Sequence, residues 1–301
     1  VTVAILDGGL ATELEARGHD LSDRLWSARL LLTDPTAIED IHLDYYRAGA
    51  RVATTASYQA TVPGFAAVGL DRSESLAAIR RSVELARRAR ARYVEATGVD
   101  PSGLLVAGSV GSYGAMLADG SEYRGDYDPG DAALRDLHGP RVEALLEAGA
   151  DLIALETIPT VREAVVLVEL VRETGARAWL SYQCRDETHT AAGEPIEEAV
   201  AVAQGVDGIV AVGVNCTAPH LVPSLLAAAA SATDRPLIAY PNRGDRWDAT
   251  SRAWVPTAAD RAYDPVAVAS WTALGATWLG GCCGTGPADI AALAGALASA
   301  G

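Results

Sequence analysis

Apolar residues along this chain come in two rhythms. Short, nearly continuous runs recur at 2–6 (TVAIL), 51–56 (RVATTA), 103–110 (GLLVAGSV), 151–156 (DLIALE), 177–182 (RAWLSY), 208–214 (GIVAVGV), 236–240 (PLIAY) and 276–280 (ATWLG). Runs apolar on both faces predict parallel strands covered on each side. Amphipathic stretches of helical period lie between and after them, at about 36–49, 73–97, 130–148, 160–174, 194–204, 218–231, 260–274 and 287–300. Four of these stretches end on a glycine that leads into the next strand: RAGARVAT, EAGADLIA, ETGARAWL and ALGATWLG. TDPTAIED and TGPADIAAL place a proline near a helix start.

Eight strand–helix pairs predict an α/β fold, a single (β/α)8 TIM-type barrel with its active site at the C-terminal ends of the strands. A doubly wound open sheet is the competing fold. It lacks support because DGGLATEL after the first strand is not the dinucleotide fingerprint. No proline- or serine-rich linker divides the chain, so one domain is expected over 1–301. The one long irregular insert, 111–128 (GSYGAMLADGSEYRGDYD), follows the third strand and is expected to be a functional loop.

Composition narrows the function classes. A chain of 301 residues with 50% hydrophobic content can bury a large core. A net charge of -15 argues against nucleic-acid backbones and anionic membranes, both of which select basic patches. Four cysteines are too few for a disulfide scaffold. The N-terminus has no basic start or signal-type apolar core, and LVPSLLAAAASA is too short to span a membrane. A cytoplasmic protein with reduced thiols and small-molecule substrates is expected.

In a barrel the strand ends are where chemistry gathers. Along the chain these ends carry Asp7-Gly8-Gly9, Thr55 to Tyr58, Ser109 to Gly111, Glu156-Thr157, Cys184, Asn215-Cys216, Tyr240-Pro241-Asn242 and Cys282-Cys283. The adjacent cysteines in GGCCGTGP alone allow a redox pair, a metal site or a nucleophile beside a spectator. Strands six and eight are two apart around a barrel, so Cys216 can meet Cys282 and Cys283 across the mouth. Three thiolates suit Zn2+ and leave one coordination position open, as in catalytic rather than structural sites. Glycines let the backbone aim two neighbouring sulfurs at one point. Cys184 reads as a small buried hydrophobe.

Such a centre suits binding an incoming thiol as thiolate, a species scarce at neutral pH without help. Alkyl transfer to sulfur is therefore the expected reaction class. Asp7 and Glu156 can serve as acid and base or bind an ammonium group. With thiol activation assigned to the metal, ammonium binding is preferred. The N–H groups of Gly8 and Gly9 can receive a carboxylate. A zinc hydrolase and a zinc-storage protein are the alternatives. His19, His42, His138, His189 and His220 fall in helices or loops rather than at strand ends.

DGGLATELEARG, LWSARLL, HLDYYRAGA, TASYQAT, GSVGSYGAMLADGSEYRGDY, LETIP, GVNC, YPN and GGCCGT occur in this order along nearly the whole chain. In this the chain resembles the homocysteine S-methyltransferases, most closely the branch that uses S-methylmethionine or S-adenosylmethionine. The resemblance implies a (β/α)8 barrel with zinc on Cys216, Cys282 and Cys283. It implies homocysteine held by Asp7 and Glu156, with Gly8 and Gly9 near its carboxylate and Asn215 in the GVNC motif. Trp26 and Tyr58 stand nearest to the aromatic residues that contact the donor in betaine-using relatives, and a sulfonium suits an aromatic face. The implied product is methionine, and a selenol is an alternative acceptor.

Two departures bear on the donor. YPNSGE of the family reads Tyr240-Pro241-Asn242-Arg243-Gly244-Asp245, and GSVGPYGA has Ser112 for proline. Arg243 is an unexpected cation near a pocket for a cationic donor. The end of the chain soon after the eighth helix predicts no folate or cobalamin modules.

Overall fold

The computed structural model describes residues 3–244, 246–248, 253–255, 263 and 265–300. The strands are β1 (Ala4–Ile5), β2 (Val52–Thr54), β3 (Leu105–Val110), β4 (Leu152–Ile158), β5 (Ala178–Tyr182), β6 (Ile209–Asn215), β7 (Leu237–Tyr240), β8 (Arg246–Asp248), β9 (Ala253–Val255) and β10 (Ala276–Leu279). Eight of them form one sheet in the order β1-β10-β7-β6-β5-β4-β3-β2, with every pairing parallel. A bridge from Leu6 to Val52, with Arg51 N donating to Ile5 O at 2.7 Å, joins the two ends of that order into a (β/α)8 barrel. β8 and β9 make a separate antiparallel pair inserted after β7.

The helices between strands follow their local signals. Asp34 caps Pro35–Arg47, and Asp71 with Glu74 forms a capping box on Arg72–Thr97. Thr160 caps Val161–Thr174. The glycine of each helix-to-strand phrase, at 49, 149, 175 and 275, has φ between 66° and 108°. Each supplies the left-handed turn that redirects the chain into a strand.

The predicted helix at 194–204 shortens to Ile196–Ala201, because Pro195 is bridged to His189 and Glu194 caps Val161 instead. The predicted 260–274 segment is helical over Pro265–Ala273; 260–262 and Asp264 lie outside the described residues, as do Thr2 of the first predicted strand and Asp245. The 111–128 insert contains a short helix, Tyr113–Leu117, and a 3-10 turn, Ser121–Tyr123.

Period-two alternation divides each strand between two cores. Outward residues such as Val106, Ile153, Leu180 and Val212 join the helices in the larger core. Leu6, Val52, Ala107, Ala154, Trp179 and Ile238 fill the barrel interior. Two residues further along β3, β4, β5 and β7 stand Ser109, Glu156, Ser181 and Tyr240, all buried. The apolar plug thus passes into a polar floor beneath the C-terminal strand ends.

Candidate active site

A cavity of about 1030 Å³ opens over that floor. Asp7, Gly8, Gly9, Trp26, Tyr58, Glu156, Cys216, Cys282 and Cys283 all line it. That volume accommodates two small substrates. All four non-glycine residues with left-handed backbone among the described residues, Trp26, Ala118, Thr157 and Cys216, line it too. Such conformations cost about 1–3 kcal/mol each and concentrate where function requires them.

Cys216 follows β6 with φ of 47°. Cys216 N donates to Tyr240 O at 3.1 Å, and Asn242 Nδ2 donates to Cys216 O at 3.2 Å. Cys282 N donates to Pro241 O, and Arg243 N to Cys283 O, each at 2.9 Å. The Tyr-Pro-Asn segment after β7 therefore braces the cysteine loops on either side of it. Gly284, at φ 82°, turns the chain directly after the pair.

The three sulfurs lie within 4.8 Å of one another, with Cys216 and Cys283 at 3.7 Å. Sulfurs on a tetrahedral zinc, about 2.3 Å from the metal, stand about 3.8 Å apart, so the donor set fits that ion. Hydrogen bonds from Cys282 and Cys283 hold the Cys216 thiol far below its ordinary pKa. The same interactions with Cys216 push Cys282 and Cys283 upward. The neighbouring sulfurs thus favour ionisation at Cys216 over the other two. The Tyr123 hydroxyl, from the insert after β3, lies 3.6 Å from Cys216 Sγ.

Asp7 and Glu156 are both buried. Burial pushes Asp7 up to about 8, with the Glu156 charge adding and Thr54 N, 2.7 Å from Asp7 Oδ2, opposing. Burial raises Glu156 to about 7 against hydrogen bonds from Ser109 and Tyr240. Tyr240 also accepts from Trp179 Nε1 at 2.8 Å and shares a hydrogen bond with Ser181 at 2.6 Å. Both carboxyls are therefore poised to ionise fully when a cation arrives. A third buried carboxyl of the cavity, Glu122, is also raised by burial to about 7. Trp26 and Tyr58 meet edge to face with centroids 6.1 Å apart.

Three expectations change. Gly9 N already donates to Thr285 O at 2.9 Å and Oγ1 at 3.3 Å, so only the Gly8 N–H remains for a carboxylate. Asn215 does not line the cavity: its Oδ1 accepts from Thr157 N at 2.7 Å and its Nδ2 donates to Thr157 Oγ1 at 2.8 Å. Its amide secures the left-handed Thr157 beside Glu156 instead. Arg243 turns outward to Asp289 at 3.3 Å and is absent from the cavity lining. Ser112 caps Tyr113–Leu117, accepting from Ala115 N at 3.2 Å. Cys184 is buried outside the cavity, as expected.

Sequence reasoning missed Tyr123, Glu122, Gln59 and Arg141. Arg141 is 1% exposed and donates to the carbonyls of Gly111, Ser57 and Tyr58 at 2.8–3.0 Å. It ties the loops after β2 and β3 together. Glu163 secures the insert by accepting from Tyr113 N at 2.6 Å and Tyr127 Oη at 2.5 Å. Tyr123 and Glu122 had only the unusual length of the 111–128 insert as a sequence signal, while Gln59 and Arg141, outside it, had none beyond the place of Gln59 in TASYQAT.

Among the described residues, no helix is long and apolar enough to cross a membrane. The sequence model of the homocysteine S-methyltransferase family matches residues 4–297. The homocysteine S-methyltransferase of Escherichia coli K12 is 51% identical over 292 residues, 97% of this chain and 94% of that protein. A selenocysteine Se-methyltransferase of Brassica oleracea is 45% identical over 96% of this chain and 87% of its own length. The crystal structure of the metallated form of the Escherichia coli homocysteine methyltransferase MmuM superimposes with a TM-score of 0.88. That alignment has 49% identity and covers 97% of this chain and 96% of the other.

Proposed function

The chain belongs to the homocysteine S-methyltransferase family, and we propose that it transfers a methyl group from a sulfonium donor to homocysteine at a zinc site formed by Cys216, Cys282 and Cys283. Methyl transfer to homocysteine is the family's activity. The observation that carries the finer reading is the cluster of three cysteine sulfurs facing one cavity with two buried carboxyls. A metallated relative at 49% identity supports it.

Zinc, when bound, would convert the acceptor's thiol to thiolate at neutral pH. The residues supply everything else. Asp7 and Glu156 receive the acceptor's ammonium, and Gly8 N–H its carboxylate. Trp26 and Tyr58 offer aromatic surface to the sulfonium. The acceptor thiolate attacks the methyl carbon, a new carbon–sulfur bond forms, and the old one breaks with its electron pair returning to the donor sulfur. The leaving group is a neutral thioether, so no residue has to protonate it. Positioning the two substrates lowers the barrier by several kcal/mol.

The selenocysteine Se-methyltransferase relative favours a second reading of the same site, with a selenol as acceptor. A zinc hydrolase on this barrel gains no support from the family. An assay panel tests the proposal. S-methylmethionine, S-adenosylmethionine and betaine are each supplied with homocysteine, and methionine formation is followed. Methionine from either sulfonium, lost on metal removal and restored by zinc, is expected. Full activity after metal stripping overturns it.

A further inference from the structure

The cavity wall carries two buried acceptor atoms that no described residue answers. Gln59 is 9% exposed and Glu122 7%, and both line the cavity. Gln59 Oε1 and Glu122 Oε2 have no hydrogen-bond partner among the described residues. Chemistry settles the orientation of the Gln59 amide. Its nitrogen donates to Ala115 O at 2.8 Å, and a carbonyl can only accept, so Oε1 faces away from that contact. Buried acceptors left unanswered are costly, and native proteins rarely keep them without reason.

Both residues lean on one short helix, Tyr113–Leu117. Ala115 holds Gln59, and Gly114 lies so close to Glu122 N that an added Cβ would stand 2.5 Å from it. Gln59 Oε1 can only accept, and Glu122 Oε2 accepts once its carboxyl ionises. A group that satisfies both must bring N–H bonds and, beside a carboxyl, positive charge. Arg124, the neighbouring cation, is committed elsewhere: it donates to Asp126, Asp119 O and Ser121 Oγ. Among the described residues none, Arg24 of the cavity lining included, hydrogen-bonds to either atom, so the complementary cation is assigned to a ligand.

We propose that Gln59 and Glu122 form an ammonium subsite for the methyl donor, distinct from Asp7 and Glu156. This rests on the sulfonium-donor reading above and sharpens it. The donor class is an α-amino acid bearing the sulfonium on its side chain, as in S-methylmethionine. A quaternary ammonium donor such as betaine has no N–H to give these acceptors. Trp26 and Tyr58, the residue next to Gln59, line the same cavity and can receive the sulfonium end.

The test compares S-methylmethionine with its des-amino analogue, dimethyl(3-carboxypropyl)sulfonium, each with homocysteine, in the zinc-loaded enzyme. Glu122→Gln keeps the shape and removes the charge, and Gln59→Met removes the second acceptor. Each substitution is expected to raise KM for S-methylmethionine by about 10- to 100-fold, the range of one charged hydrogen bond. KM for the des-amino donor, KM for homocysteine, and zinc content are expected to stay within about twofold. Equal losses on both donors, a loss confined to homocysteine, or no change in either variant overturns the subsite. A wild-type enzyme that uses neither sulfonium overturns the donor reading itself, before any variant is compared.

Discussion

The Tyr123 hydroxyl stands 3.6 Å from the Sγ of Cys216, joining the insert after β3 to the end of β6. Tyr123→Phe removes that contact and leaves all three sulfurs in place. Zinc content should be unchanged while kcat/KM for homocysteine falls about 10- to 100-fold, as for a hydrogen bond of about 1.5–3 kcal/mol to a charged group. Metal analysis beside steady-state kinetics checks this. Unaltered kcat/KM would show that the hydroxyl is a bystander.

Cys216→Ala and Cys282→Ala leave two sulfurs where three converge within 4.8 Å. Each should lose bound zinc and reduce methionine formation to background, because a zinc site seldom survives on two protein ligands. Cys184→Ala should do neither, since Cys184 is buried outside the cavity. An active, metal-free Cys282→Ala protein would refute the assignment.

In the ligand-free protein the stability contributed by Asp7 and Glu156 in their protonated forms should shrink as pH rises. Asp7 and Glu156 titrate near 8 and 7 in the folded state, above their ordinary values of 3.8 and 4.5. Between these limits each of the two carboxyls holds a proton in the folded chain that it has lost in the unfolded one, so their contribution to stability falls with rising pH until about 8, where it levels. From pH 5 to about pH 8.5 the thermal midpoint of the wild type should fall relative to that of Asp7→Asn, which has no such proton to lose. Parallel profiles in the two proteins would contradict the raised titration of Asp7.

Arg141→Lys keeps the charge but cannot serve three carbonyls from two loops at once. A loss of about 2–4 kcal/mol is expected, from roughly 1 kcal/mol per hydrogen bond and the buried carbonyls left unpaired. Denaturant unfolding measures the stability. The same variant should raise KM for the donor more than for homocysteine, because the carbonyls it holds belong to Ser57, Tyr58 and Gly111. Equal changes in the two KM values would make Arg141 a purely structural residue.

The parallel between sequence and structure is closest where the signal is local. Apolar runs of strand length, helical spacing and the glycine stops at 49, 149, 175 and 275 each act within a few residues, and each is visible in the chain. Once eight strand–helix pairs are counted, the barrel's cyclic order brings Cys216 near Cys282 and Cys283, because β10 and β6 both flank β7. Asp7, Glu156 and Tyr58 reach the same cavity for the same reason, whereas Trp26, away from the strand ends, was indicated only by the family resemblance.

What the chain alone could not reveal is how hydrogen bonds are shared between distant segments. Gly9 N–H looks available in sequence, yet Thr285 takes it from 276 positions away. Asn215 sits beside a cysteine of the site, yet both its amide groups serve Thr157. Arg243 reads as an obstacle to a cationic donor until Asp289 draws it outward. Tyr123 and Glu122 lie in an insert with neither helical nor strand period, so no pattern assigned them a direction. The sequence by itself determined the barrel and which residue types collect at its mouth, because periodicity and turn chemistry are short-range. Only the tertiary structure decided which donors and acceptors remain open to a substrate, because that depends on what the rest of the fold has already satisfied.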